Sequence, residues 1–206
     1  MNPSSFQRAH AAVLRLFVAV PLPPNVVARA AAIITRLAER GRGVRWTDPC
    51  RLHLTLAFLG DEVPEARVPA IAAAIDEGCR GIPPLAVACG GLGRFPAAGR
   101  PRVVWLGVTE GAAELIRLQE AVAGRLEGLG FPREARGWQP HVTLGRVPTR
   151  GRSGASSVAR LESAIAEEAE CVAGSGIVGE VVLYASERTP AGPAYRMLHA
   201  TPLARR

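Results

Sequence analysis

No lysine occurs anywhere in the 206 residues; all 25 basic positions are arginine. That absence excludes a phosphate-loop lysine, a Schiff-base enzyme and any ligase working through a nucleotidyl-lysine intermediate. Cysteine is scarce too. Cys50, Cys79, Cys89 and Cys171 are widely spaced and form no C-x-x-C pair, so neither a zinc ribbon nor a disulfide framework is indicated. Cys50 stands three before His53, but two potential ligands make at most half a metal site, and no metal is expected. No apolar run approaches the roughly 20 residues of a spanning helix, and residues 1–12 lack the charged-then-apolar order of a signal peptide. A cytoplasmic protein is the resulting expectation.

What the chain does have is apolar bulk and positive charge. With 48% hydrophobic residues it suits one compact domain or two intimately packed lobes. The net charge of +7 favours an anionic partner such as nucleic acid, with a solvated arginine-rich surface as the competing reading. Arginine offers planar, bidentate contacts to phosphate.

Leu14 to Val20 reads as a buried strand closed by the Pro21–Pro24 cluster, followed by helical apolar spacing from Val26 to Arg40. Arg51 to Leu59 reads as a second strand, Pro64 opens a helix through about Glu77, and Leu85 to Cys89 is a third strand. In the second half the pattern predicts a strand at Arg102–Val108, a helix from Ala112 to Leu129 stopped by Gly130, and a strand at His141–Val147. Thr149 to Ser157 has the composition of a mobile loop, Val158 to Glu170 looks helical, and strands are expected at Gly179–Ser186 and Ala194–Ala200.

The two halves repeat. Phe17 to His53 and Trp105 to His141 both span 36 positions, so at a constant offset of 88 LFVAV lies on VWLGV and HLTL on HVTL. Two copies of strand, helix and histidine-bearing strand, approximately residues 14–90 and 102–186, predict two lobes related by an approximate two-fold. Chance similarity of α/β segments is the competing reading.

In a strand, side chains alternate between faces, so His53 and Thr55 share one face of HLTL while Leu52, Leu54 and Leu56 take the other. His141 and Thr143 likewise oppose Val142 and Leu144. Each lobe thus offers an imidazole and a hydroxyl about 7 Å apart along a rigid strand. A third His-x-Thr, His199-Ala200-Thr201, lies outside the register and is cut off by Pro202, so His199 reads as a strand-end residue. The shared register, not the tripeptide, is what singles out His53 and His141.

The sequence resembles the 2H phosphoesterases, and within them the bacterial and archaeal RNA 2′,3′-cyclic phosphodiesterases, also described as 2′-5′ RNA ligases. The resemblance rests on RLFVAVPLP, Arg45-Trp46, RLHLTLAFLG, GGLGRFP, RVVWLGV, LGF, QPHVTLGR, Tyr195 and Pro202-Leu203, and covers nearly the whole chain. It leaves out an extension over residues 1–12, expected to be disordered, ahead of a single bilobal domain over 13–206. The resemblance implies an α+β fold of two pseudo-symmetric lobes, each an antiparallel sheet with helices on its outer face, around a central cleft. It also implies that both histidines face that cleft and that no metal or cofactor is required.

Opening a cyclic phosphate needs a base to take a proton from water and an acid to protonate the departing ribose oxygen. Two histidines, with ordinary pKa values near 6.5, fill both posts if one ring is neutral and the other charged. The resemblance makes His53 the proton donor and His141 the acceptor, with a 2′-phosphate as product; the near-symmetric motifs do not themselves assign the roles. Thr55 and Thr143 would hold the non-bridging phosphate oxygens, with β-branched strand packing as their bland alternative. Arg146 is a further phosphate contact if a bend at Gly145 turns it onto the His141 face, since strict alternation points it away.

Phe95, Trp46 and Trp138 are candidates for stacking on a base, with lobe packing as the competing reading. The run Gly90–Pro96 reads as a turn, because Pro96 stands where a dinucleotide loop needs its last glycine. The expected partner is RNA bearing a 2′,3′-cyclic phosphate end, handled by a monomer, with 2′-5′ joining as a possible reverse reaction. Two alternatives stay open: a small cyclic nucleotide or nucleotide-sugar phosphate as substrate, or a basic RNA-binding protein whose motifs are catalytically idle.

Overall fold

The computed structural model describes residues 12–133, 137–148, 155–190 and 192–204; residues 1–11 of the extension expected over 1–12, and 149–154 of the loop expected over 149–157, lie outside them. Among the described residues, nine strands and four helices form an α+β fold. The strands are β1 (Val13–Pro21), β2 (Arg45–Trp46), β3 (His53–Pro64), β4 (Leu85–Phe95), β5 (Val103–Glu110), β6 (His141–Arg146), β7 (Val172–Val178), β8 (Glu180–Thr189) and β9 (Gly192–Pro202). The helices are α1 (Pro24–Arg40), α2 (Val68–Cys79), α3 (Ala112–Glu127) and α4 (Ala155–Glu167).

All pairings are antiparallel, in the order β7-β4-β5-β6-β3-β1-β8-β9, with β2 added beside β6. The sheet is two four-stranded lobes joined at the β3–β6 seam by the single pair Leu54–Val142. A lobe is not a sequence half. β4, from the first half, pairs with β5, while β8, from the second, pairs with β1. The helices cross in the same way: α1 packs on β7 and α4, and α3 packs on α2 and β3.

Leu52, Leu54, Leu56, Val142 and Leu144 are buried in one continuous core with Val26, Ile33 and Leu37 of α1 and Leu115, Leu118 and Val122 of α3. Each such aliphatic side chain contributes roughly 1.5–3 kcal/mol by leaving water, which anchors the apolar face of both motif strands and leaves the other face to the cleft. Gly78 lets α2 and α3 close together, since a Cβ there would stand 2.8 Å from Val122 Cα. Side chains of α1 clasp the end of α4: Arg36 donates to Glu168 through Nε (2.5 Å) and Nη2 (2.8 Å), and Arg40 forks onto Glu167.

Several boundaries differ from the expectations. Pro64 is at once the last residue of β3, paired with Val13, and the cap of a 3-10 turn over Glu65–Arg67 that leads into α2 at Val68; the Glu65 N–H reaches Ala12 O (2.8 Å). The glycine run is strand, not turn, as far as Phe95. Its glycines answer close approaches: a Cβ at Gly93 would enter the Trp105 ring, and one at Gly90 would stand 2.7 Å from Cys171 O. Ser156 and Ser157 fall inside α4, which stops at Glu167 instead of Glu170. Two strands lie where the sequence pattern predicts none, the two-residue β2 and the glycine-interrupted edge strand β7.

The repeat is also less regular than a constant offset. Thr55 pairs with Ala19 but Thr143 pairs with Trp105, so the first strands are displaced by two residues relative to the motifs. Ala19, not Phe17, occupies the place of Trp105.

Candidate active site

Both motif histidines are held in the same way. His53 Nδ1 donates to Arg51 O, two residues upstream (2.7 Å), and His141 Nδ1 donates to Gln139 O (2.8 Å). A carbonyl can only accept, so each Nδ1 carries the proton and each Nε2 is the variable nitrogen. His53 Nε2 lies 3.0 Å from Thr55 Oγ1, whose hydroxyl donates to the neutral ring.

The Arg51 carbonyl is itself fixed. It belongs to a 3-10 turn over Pro49–Arg51, capped by Asp48, which accepts from the Cys50 N–H (3.0 Å). The Arg51 guanidinium donates to Pro193 O (2.6 Å) and lies 3.4 Å from Asp48 Oδ2, tying the turn to the start of β9. Cys50 is thus a turn residue. Among the described residues no three His, Cys, Asp or Glu side chains come together as a metal-ligand set.

Aromatic rings wall each imidazole. Phe17 stands 5.0 Å from His53 and Tyr195 5.5 Å, edge-on; Phe95 stands 5.0 Å from His141, edge-on, with Trp105 behind at 6.5 Å. Burial pushes the His53 imidazole below the ordinary histidine range, and the charges of Arg146 and His141 act in the same direction against the opposing bond to Arg51 O. These effects together favour the neutral form of the His53 ring in the free protein.

Arg146 does reach this face, by a device other than a bend at glycine. Val104 pairs with Gly145 and Trp105 with Thr143, so Leu144 is an extra residue, a β-bulge. Leu144 and Gly145 are both buried, alternation resets, and Arg146 returns to the side of His141 and Thr143. The same bulge occurs at Leu56, since Val18 pairs with Ala57 and Ala19 with Thr55. It puts the exposed Phe58, with the Arg15 guanidinium 4.5 Å over its ring, at the position equivalent to Arg146.

Because the lobes share one ladder pair, backbone carbonyls beside the bulge need other donors. Trp138 Nε1 donates to Thr55 O (3.1 Å) and Gln119 Nε2 to Leu56 O (3.3 Å). Trp138 therefore braces the seam, and Trp46 packs against Gly41 and Gly145, away from the cleft. The third His-x-Thr does something else. His199 Nε2 (2.8 Å) and Thr201 Oγ1 (2.6 Å) both meet Asp76 Oδ1, fastening β9 to α2.

The sequence profile of the 2′-5′ RNA ligase superfamily matches residues 23–189. The chain belongs to that superfamily, among the 2H phosphoesterases. Similar proteins named RNA 2′,3′-cyclic phosphodiesterase include one from Thermotoga maritima, 33% identical over 186 residues that make up 90% of this chain and 94% of that protein. Another, from Archaeoglobus fulgidus, is 36% identical over 185 residues, 90% of this chain and 98% of that one. Among solved structures, a Thermus thermophilus protein superposes with a TM-score of 0.75 at 30% identity, covering 93% of this chain and 99% of its own. Escherichia coli LigT, solved with 3′-AMP, gives 0.70 at 26% identity, with 93% and 99% covered.

Two of the rings on the His53 side of the cleft carry no mark of that position in the sequence. Phe17 sits in an unbroken apolar run, where a cleft-facing ring looks like any core residue, and nothing local marks Tyr184, which stacks on it at 5.3 Å.

Proposed function

We propose that the protein opens RNA 2′,3′-cyclic phosphate ends to 2′-phosphomonoesters by acid-base catalysis between His53 and His141. The observation that carries this reading is the matched pair of rings. Each Nδ1 is committed to a backbone carbonyl, which leaves each Nε2 for the substrate. The relatives named RNA 2′,3′-cyclic phosphodiesterase and the LigT complex with 3′-AMP support an RNA end as substrate.

Water attacks phosphorus as His141 Nε2 takes its proton, the bond from phosphorus to O3′ breaks, and O3′ takes a proton from His53 Nε2. Thr55 and Thr143 donate to the non-bridging oxygens, and the Arg146 guanidinium offsets their charge. His53, neutral in the free protein, gains its proton when the phosphodiester anion enters. Afterwards His141 holds the proton that it took from water, His53 has given up its own, and exchange with solvent resets the pair. With a 5′-hydroxyl in place of water, the same proton movements join two ends through a 2′-5′ linkage.

The test is to incubate the protein with EDTA and either a short RNA ending in a 2′,3′-cyclic phosphate or 2′,3′-cyclic AMP. Sustained turnover of the RNA to a 2′-phosphate is expected. Loss of activity in EDTA, or a 3′-phosphate product, overturns the reading; turnover of the mononucleotide alone moves it to small cyclic nucleotides. RNA binding without turnover of either marks a binding protein. A substrate with sulfur at the 3′ bridging position separates the roles, because a thiolate leaves without an acid. It rescues His53→Ala and not His141→Ala if the assignment holds.

A further inference from the structure

Two hollows open off the cleft, one beside each histidine, and they differ in charge. The hollow beside His53 measures about 600 Å³ and includes Asp48, Arg51, Tyr184 and Tyr195 in its wall. Its cation is already engaged, since Arg51 is spent on Pro193 O and Asp48. The hollow beside His141 measures about 900 Å³ and is lined by Phe95, Trp138, Gln139, Arg100 and Arg102, with no carboxylate among the described residues of its wall.

That wall is firm. The Arg102 N–H donates to Phe95 O (2.7 Å), and the Val147 N–H donates to Arg102 O (2.9 Å). The loop leading to Arg100 is drawn in by Arg94, which donates to Gly99 O (2.5 Å) and Pro96 O (3.2 Å). Trp138 is fixed by its bond to Thr55 O and Phe95 by its contacts with Trp105 and His141. Among the described residues, neither the Arg100 nor the Arg102 guanidinium has a carboxylate partner.

Single small ligands occupy sites of roughly 300–1,000 Å³, so the cleft has room for the terminal nucleoside that carries the cyclic phosphate and for a further nucleotide of the same strand. A cyclic mononucleotide fills one. We infer that the hollow beside His141 is a polynucleotide subsite, in which Phe95 and Trp138 offer faces to a base and Arg100 and Arg102 take the backbone phosphates of an RNA strand. Aromatic faces beside unengaged guanidinium groups are the ordinary means of holding single-stranded nucleic acid. This subsite would make the protein select polynucleotide ends over mononucleotides, and it rests on the reading under Proposed function.

The test compares the Arg100→Ala/Arg102→Ala double variant with the unaltered protein on two substrates, an RNA ending in a 2′,3′-cyclic phosphate and 2′,3′-cyclic AMP. The ratio of kcat/KM for RNA to that for cyclic AMP is expected to fall at least tenfold through the RNA KM. A ratio within twofold of the original overturns the subsite. In parallel, binding of a labelled RNA with a 2′-phosphate end is followed against salt. Loss of two phosphate contacts lowers the slope of log K on log salt by about 1.4. An unchanged slope contradicts the inference. Because binding is read without turnover, an inactive protein defeats the proposed function while the subsite is still judged.

Discussion

Leu54 of the first motif pairs with Val142 of the second, at the one backbone pair where the lobes share a ladder. That pair sets the two motifs side by side at the seam, and His53 Nε2 lies 3.0 Å from Thr55 Oγ1 on the cleft face. Thr143 stands on the same face of its own strand as His141, as Thr55 does beside His53.

Removing either hydroxyl therefore affects catalysis more than folding. Thr55→Val and Thr143→Val, which keep the β-branched shape, are each expected to lower kcat about 10- to 100-fold. Thermal unfolding should move by less than about 1 kcal/mol. Steady-state kinetics beside a melting curve decide this, and a loss of activity matched by a loss of fold would make the threonines packing residues only.

The low pKa of His53 has a thermodynamic consequence with a definite sign. Its folded value lies below the unfolded one, so beneath about pH 6.5 the unfolded chain holds a proton that the folded chain refuses. This contribution to stability is present above that pH and is lost as pH falls towards the folded value. His53→Gln should flatten the melting temperature against pH in that window. In the complex the sign reverses: binding of 2′-AMP at pH 7 should take up a proton, measured by calorimetry in buffers of different ionisation enthalpy, and His53→Gln should abolish the uptake.

Gly93 supports the other histidine at one remove. A Cβ there would lie 2.1 Å from Trp105 Cζ2, and the Trp105 ring stands behind Phe95 and His141. Gly93→Ala should cost about 1–3 kcal/mol by overpacking and lower activity further by displacing the ring. Gly179→Ala, where a Cβ meets nothing within 4 Å, should change stability by less than about 0.5 kcal/mol. Chemical denaturation of the two variants checks the contrast.

What the sequence made legible was periodic. The alternation in HLTL and HVTL placed both histidines on the face opposite the buried leucines, and the α1 and α3 spacings held to within a turn. What it hid depends on partners distant in the chain. Nothing local distinguishes a glycine needed for φ from Gly93, which is needed by Trp105, so a strand read as a turn. The bulges at Leu56 and Leu144 are fixed by β1 and β5, which is why Arg146 could be placed only conditionally. The two-residue offset of β1 against β5 likewise leaves no mark in an ungapped overlay.

The three His-x-Thr sequences give the most direct measurement. Single-turnover rates on an RNA 2′,3′-cyclic phosphate end should fall at least about a thousandfold in His53→Ala and in His141→Ala. His199→Ala, which loses only an exposed pair with Asp76 worth under about 1 kcal/mol, should stay within twofold. Full activity in either of the first two variants, or an equal loss in all three, would contradict a site built from His53 and His141.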